Sequence, residues 1–263
     1  VAKRREENSS TFDQAKCPNC EEEQSLMLLA DSQEKAEKQK RSGKPLFFVA
    51  QFGCVNCKTL FKWAQRAPRY VVGYHGCSRD FAESLRSKKV SVSEWAYSEK
   101  SYEWLGKGVY FWEDAPGRAW QWARIRFPKN PAVVATTIKL GACVDLADTK
   151  FTGLLSGSFL DLKASYGAEK PPRPLPQNRN APQRPGEEPD EDFKVRKLDA
   201  VVVNNLITIM EKGGAKIQTV RCPFEEGKAA FPGAKIKMQS HVQIAVLDRE
   251  CIDKRIWLIP EVM

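Results

Sequence analysis

The sequence predicts an α+β fold, and three observations carry that prediction. Strand-like and helix-like segments follow one another without a βαβ repeat. Hydrophobic residues make up 42% and aromatic residues 10% of the chain, enough to bury a sizeable core. Two breaks in composition divide the 263 residues into a cysteine-rich front, 1–66, and a larger globular part, 69–263, with a proline-rich insertion at 169–192.

Within the front, PLFFVAQF reads as a strand running into a cysteine pair. The run 25–40 has good helix formers and few apolar anchors, so a short exposed helix or a mobile insertion is expected. RYVVGYH (69–75) reads as a strand, 80–86 as a short helix and KGVYFW (107–112) as a strand. Pro116–Arg126 follows as a helix whose apolar side is built from Ala119, Trp122 and Ala123. PAVVATTIKL (131–140) is a strand, and 198–212 a helix stopped by Gly213 and Gly214. The segments 217–221 and 241–247 complete the set as strands. The insertion 169–192 holds seven of the sixteen prolines and no aromatic residue, so it forms no core. A solvated loop is expected there, with a polyproline partner site as the sharper alternative.

Charge and cysteine content narrow the function classes. Lysine and arginine number 42 against 33 acids, a net charge of +9, which is compatible with a nucleic-acid partner without deciding for one. No apolar run approaches the roughly 18 residues of a membrane span, so no membrane partner is expected. The opening VAKRREENSS reads as neither signal peptide nor anchor. Eight cysteines are too few for a disulfide scaffold in a chain of this length, and a reducing, cytoplasmic compartment follows. Four of them form two C-x2-C pairs, Cys17 with Cys20 and Cys54 with Cys57. Each pair puts two thiolates on one tight turn, and two such turns complete the closed tetrahedron of a structural zinc site. The 33 residues between the pairs exceed the commonest ribbon spacing, and the polar stretch 31–44 accounts for the excess.

The chain has only two histidines, His75 and His241. His75 ends an apolar strand and precedes Gly76, where a backbone can approach a ligand closely. About thirty residues on, LGKGVYFW (105–112) places two glycines before a strand with an aromatic run.

Together YHGCSRDFAESLRS and SYEWLGKGVYFWEDAPGRAWQWA resemble ADP-ribosyltransferases of the diphtheria-toxin and poly-ADP-ribose-polymerase type. That family carries an H-G pair on its first core strand, then a G-x-G-x-Y-F strand, then a helix. Its closing strand supplies a glutamate in a pattern like E-Y-I-V-Y-D. The matching strand here is QIAVLD, so Gln243 stands where the glutamate is expected. The chain is also similar to bacterial proteins that share YEWLGKGVYFWE and HVQIAVLD. The resemblance covers roughly 69–260 and implies a split antiparallel sheet as core, with the front as a separate small zinc ribbon.

Carried over, the resemblance implies NAD as substrate. His75 would bond a ribose hydroxyl, the Gly76 backbone would grip the nicotinamide carboxamide, and Tyr110 would stack on the nicotinamide ring. A helix serine that touches nicotinamide in polymerase relatives is replaced by Arg118, and Trp122 is a candidate second aromatic. Gln243 keeps a hydrogen bond but neither the charge nor the basicity of a carboxylate, and loss of a general base costs about a hundred- to ten-thousand-fold. Single transfer is therefore expected in place of chain elongation. Glu226, in the segment 222–240 that corresponds to the family's acceptor-recognising loop, is the candidate displaced acid, against its reading as a solvated loop charge. His241 shares a strand face with Gln243, and either orients it or packs. The expected function is a mono-ADP-ribosyltransferase acting on a protein or nucleic-acid acceptor. NAD glycohydrolysis, or a binding module for NAD, ADP-ribose or nucleic acid without turnover, stand as alternatives.

Overall fold

Backbone pairing divides the chain at Arg69. The computed structural model describes residues 14–16, 23–25, 27–28, 47–53, 60–66, 69–101, 103–180 and 192–261. They fall into two units, Val1–Arg69 and Tyr70–Met263.

In the first unit, β1 (Gln14–Lys16) pairs antiparallel with β2 (Glu23–Ser25). β3 (Met27–Leu28), β4 (Phe47–Gly53) and β5 (Leu60–Arg66) form an antiparallel sheet with β4 in the middle. The strand read from PLFFVAQF is β4. The helix expected from residue 25 onward gives way at its start to strand, at Ser25, Met27 and Leu28; the rest of that run lies outside the described residues. So do Cys17, Cys20, Cys54 and Cys57, which fall in the sequence links between β1 and β2 and between β4 and β5.

The second unit is α+β, built on a seven-stranded, mostly antiparallel sheet. Its strands are β6 (Tyr70–Ser78), β7 (Val109–Glu113), β8 (Pro131–Lys139) and β9 (Cys143–Asp145). A small separate pair, β10 (Asn178–Arg179) and β11 (Val195–Arg196), precedes β12 (Thr219–Phe224), β13 (His241–Val246) and β14 (Trp257–Ile259). The order across the sheet is β14-β8-β6-β7-β13-β12-β9, with only the β12–β9 contact parallel. Four helices accompany it among the described residues: α1 (Arg79–Arg86), α2 (Pro116–Arg126), α3 (Thr149–Ala168) and α4 (Lys197–Lys212). None is long and apolar enough to cross a membrane.

The sheet is nearly two sheets. β6 pairs with β8 over nine residues, but with β7 only through Gly73↔Glu113 and Tyr74↔Trp112. Beyond Tyr74 the two strands part, leaving β14-β8-β6 on one side of an opening and β7-β13-β12-β9 on the other. One face of both halves packs on α1 through Cys77, Phe111, Ile138 and Ile244 with Ala82 and Leu85. The opposite face packs on α2 through Trp112, Ala119, Trp120 and Ala123, and on α4 through Val220, Ala245, Val203 and Leu206.

Two expectations need correction here. The buried tryptophan of α2 is Trp120, while Trp122 stays 38% exposed, because Ala119, Trp120 and Ala123 set the phase of the buried side. The insertion 169–192 is not wholly a solvated loop. Asn178 Oδ1 accepts from the Leu198 and Asp199 N–H groups, at 2.9 and 3.3 Å, and so caps the start of α4. At the other foot Asp192 accepts from the Gly227 N–H and from Lys237 Nζ, at 2.6 and 2.9 Å.

A buried cation holds the four-stranded half together. Arg221 on β12 donates to Glu113 of β7 at 2.6 and 3.1 Å and to Asp145 of β9 at 3.0 and 3.3 Å. Arg221→Met leaves two poorly hydrated carboxylates without their shared partner. It is expected to cost about 3–5 kcal/mol, the range for breaking a buried pair, read as a lower urea midpoint at unchanged slope. A loss below about 1 kcal/mol would show that water already screens the cluster.

Candidate functional site

The site is organised by the place where β6 and β7 part. The Val72 carbonyl accepts from the Asp114 N–H at 3.0 Å, so even-numbered residues of β6 turn their polar groups toward β7. Arg79 N–H bonds the Asn130 carbonyl on the β8 side at 2.7 Å, in agreement with that alternation. Gly76 lies two residues past the last β6–β7 pair, and its N–H and C=O therefore face the opening. The glycine is required by packing: a Cβ there would lie 2.6 Å from the Ala119 carbonyl oxygen and 3.2 Å from the Trp122 ring. α2 is thus seated directly on Gly76, with Trp122 beside it.

His75 spans the gap. Its Nδ1 lies 2.8 Å from the Tyr110 carbonyl oxygen, which makes Nδ1 the protonated nitrogen and leaves Nε2 with a lone pair. Trp95 and Phe111 pack its ring at 4.8 and 5.7 Å. Burial dominates its titration and pulls its pKa down to about 4, against the weaker opposing pull of the Tyr110 carbonyl. His75 is a neutral hydrogen-bond acceptor at physiological pH.

Tyr110 is committed at its tip. Its hydroxyl donates to the Gly106 carbonyl at 2.6 Å and accepts from the Leu105 N–H at 3.0 Å, and its ring packs at the edge of the α4 core. Burial raises its pKa. Gly106 has φ +77° and lies against Asn204 of α4, whose Oδ1 accepts from the Lys107 N–H at 3.1 Å. The G-x-G spacing thus makes the turn that pins the Tyr110 hydroxyl.

On the α2 face of the sheet, register sets Tyr74, Trp112, Gln243 and Cys222 in one row across four strands. His241 and Phe224 pair in the adjacent row. Above them lies Glu226, which is buried at 5% exposure and is not the solvated loop charge. Arg118 of α2 donates to its Oε2 at 2.5 Å, and the same oxygen is 3.6 Å from His241 Nδ1. His241 Nδ1 bonds the Gln239 carbonyl oxygen at 2.7 Å, so Nε2 again carries the lone pair; it is buried without a hydrogen-bond partner among the described residues. Burial pulls His241 down to about 4, helped by the positive charges of Arg118 and Arg196. Trp104 and Phe224 flank its ring, and Arg196 covers the Trp104 ring at 3.8 Å.

The structure therefore brings Arg118, Glu226, His241 and Gln243 to one region, and His75, Gly76, the Tyr110 backbone and Trp122 to the opening. Sequence reasoning missed the engagement of Arg118 and the stack of Trp104 and Arg196 on His241. The one available signal was helical spacing, since Arg118 and Trp122 are four apart and share a side of α2. Among the described residues no group of three or more histidine, cysteine or acidic side chains is arranged to hold a metal. A separate apolar cavity of about 550 Å³ lies beside Trp104, Cys222 and Phe224, walled by α3 and α4. No family model, curated protein or solved structure matches this chain.

The two histidines give acid sensitivity. Both folded values, about 4, lie below the 6.5 of an ordinary imidazole, so between these limits the unfolded chain binds protons that the folded chain refuses. Their contribution is present in full above pH 6.5 and is lost as pH falls toward 4. The slope approaches about 1.4 kcal/mol per pH unit for each histidine. His75→Gln should flatten the fall in urea midpoint between pH 6.5 and 4.5 relative to wild type. Parallel curves for the two proteins would show that His75 does not titrate in this window.

Proposed function

We propose that Tyr70–Met263 is a mono-ADP-ribosyltransferase unit that cleaves the nicotinamide–ribose bond of NAD and passes ADP-ribose to a macromolecular acceptor. The observation that carries this reading is the opening between β6 and β7, lined by a neutral His75 acceptor and the outward-facing backbone of Gly76. A primary carboxamide has one acceptor and two donor hydrogens, which complement an N–H and C=O on one strand residue. Trp122, half-exposed beside Gly76, offers the aromatic surface for the pyridine ring more freely than Tyr110, whose hydroxyl is tied down. His75 Nε2 accepts from a ribose hydroxyl.

The reaction needs a carboxylate close to the sugar. As the C1′–N1 bond breaks, its electron pair leaves with nicotinamide and positive charge gathers on the ribose. The acceptor nucleophile then bonds to C1′ and gives up its proton. Gln243 does neither electrostatic nor proton-accepting work. Glu226, buried and oriented by Arg118, serves as the carboxylate that faces the charge and takes the proton. His241 packs behind it. Cys77, Cys143, Cys222 and Cys251 form no disulfide among the described residues, in keeping with the reducing, cytoplasmic setting proposed here.

Nicotinamide release from NAD, with and without a cell lysate as acceptor, tests the reading. Wild type should release it faster with lysate, and label from the ADP-ribose moiety should enter macromolecules. His75→Ala and Glu226→Gln should each lower release by about a hundredfold or more, while Gln243→Glu, which sets a second carboxylate near Glu226, should not raise it. Acceptor-independent release points instead to glycohydrolysis, and no release with undetectable NAD binding rejects the assignment.

The first unit fits a structural zinc ribbon by topology. Each C-x2-C pair falls between two antiparallel strands, β1 with β2 and β4 with β5, as a pair of metal knuckles requires. Bound zinc would serve as a folding staple. Metal analysis of the native protein should find about one zinc per chain, and Cys54→Ser should abolish it. Metal-free native protein would exclude the site.

A further inference from the structure

The Arg118–Glu226 pair is a poor device for stability alone. Both side chains are largely buried, 17% and 7% exposed, and burying two charges costs about as much as their attraction returns. The pair is also incompletely satisfied: Arg118 Nε is buried without a hydrogen-bond partner among the described residues. An apolar pair of similar volume would hold α2 to the Glu226 loop without this cost.

What the arginine provides is direction. It stands one residue from Ala119, whose carbonyl touches Gly76, and four before Trp122, so its Cα is fixed to the opening through α2. Gln121 Oε1 accepts from Arg118 Nη1 and restrains the guanidinium from the helix side. Arg118 Nη2 then holds Glu226 Oε2 at 2.5 Å. The loop bearing Glu226 is itself fixed, since the Gln239 N–H bonds the Glu226 carbonyl at 2.9 Å and Asp192 holds Gly227 and Lys237.

We infer that Arg118 is the positioning residue that fixes the Glu226 carboxylate relative to the opening, allowing a loop carboxylate to act where β13 offers only Gln243. This rests on the ADP-ribosyl transfer reading. Arg118 touches Glu226 and not the substrate. Removing it should lower kcat and leave NAD binding nearly intact, because displacing a reacting group by about 1 Å costs on the order of a hundredfold.

The experiment is a kinetic cycle on nicotinamide release by the full chain. Arg118→Met keeps the stem volume and removes the guanidinium. It should lower kcat by roughly 10- to 100-fold with KM for NAD within about threefold of wild type. Arg118→Lys, which restores one cationic donor, should recover part of that loss. The double variant Arg118→Met with Glu226→Gln should be no slower than Glu226→Gln alone, as for two residues acting as a unit. Calorimetric NAD binding by each variant establishes that it is folded.

A kcat for Arg118→Met within twofold of wild type overturns the inference and leaves the transferase reading standing. So does a rise in KM alone, which would make Arg118 a direct NAD ligand, or losses that multiply in the double variant. If both Arg118 variants fail to fold, the pair is a structural staple and the inference falls. Wild-type protein that releases no nicotinamide removes the transferase reading and the inference together.

Discussion

The second unit depends on two residue pairs. Gly73↔Glu113 and Tyr74↔Trp112 are the only ladder pairs between the halves of the seven-stranded sheet among the described residues, and they place the opening at His75. A continued ladder would bring the Gly76 N–H to the Tyr110 carbonyl. That carbonyl instead accepts from His75 Nδ1, so a side chain occupies the acceptor and the strand backbone is released into the opening. One hydrogen bond thereby does three things: it fixes the imidazole tautomer, stops the ladder and leaves the polar groups of the buried Gly76 facing the opening. The close seat of α2 on Gly76 supports the β6 side of the gap, and α4 supports the β7 side through Gly106, Asn204 and the Tyr110 hydroxyl.

The charge distribution follows from where water is excluded. β13 is central in its half of the sheet, between β7 and β12, and its Ile244, Ala245 and Val246 are fully buried. A carboxylate at Gln243 would need its own counter-charge, and the Arg118 guanidinium is already bonded to Glu226. Acid and base therefore meet between α2 and the loop after β12, where Arg118 is a short reach away. On the other face, Arg221 settles the same problem for Glu113 and Asp145. In each case one arginine neutralises carboxylate charge from a distant part of the chain: Arg221 ties three strands of the four-stranded half together, and Arg118 ties α2 to the loop after β12.

Legibility in the sequence tracks how local the cause is. β8 was plain because PAVVATTIK is apolar on both faces, and α2 because Pro116 opens it and its alanines repeat at helical spacing. α3 was not, since TKFTGLLSGSFLDLKASYGA carries three glycines and no clean apolar stripe. It is held by α4 instead: Ser158 Oγ donates to the Val202 carbonyl, and Asn205 donates to Asp161 and Ser158. β9 and β14, three residues each, have too little pattern to detect. At the site, His75 and Gly76 stand out as a motif. The Arg118–Glu226 contact spans 108 residues and leaves no local trace. Trp120 and Trp122 differ only in helix phase, which the paired tryptophans in RAWQWA obscure.

The same non-locality links the proline-rich insertion to the site. Composition marks 169–192 as unable to form a core, and 181–191 lie outside the described residues. Its ends nevertheless carry short polar residues that do structural work. Asn178 caps α4, the helix behind Gly106 and Tyr110, and Asp192 grips the loop that presents Glu226. Burial lifts the Asp192 pKa, but the hydrogen bonds and charge of Lys237 and the Gly227 N–H outweigh it and leave it below the ordinary carboxylate value. Asn178 and Asp192 thus fasten this segment to α4 and to the loop that presents Glu226. Length and composition within the insertion can vary while Asn178 and Asp192 keep their bonds, because closure cost rises slowly with loop length. Both fastenings together, and not the prolines, are what the geometry of the site requires from this part of the chain.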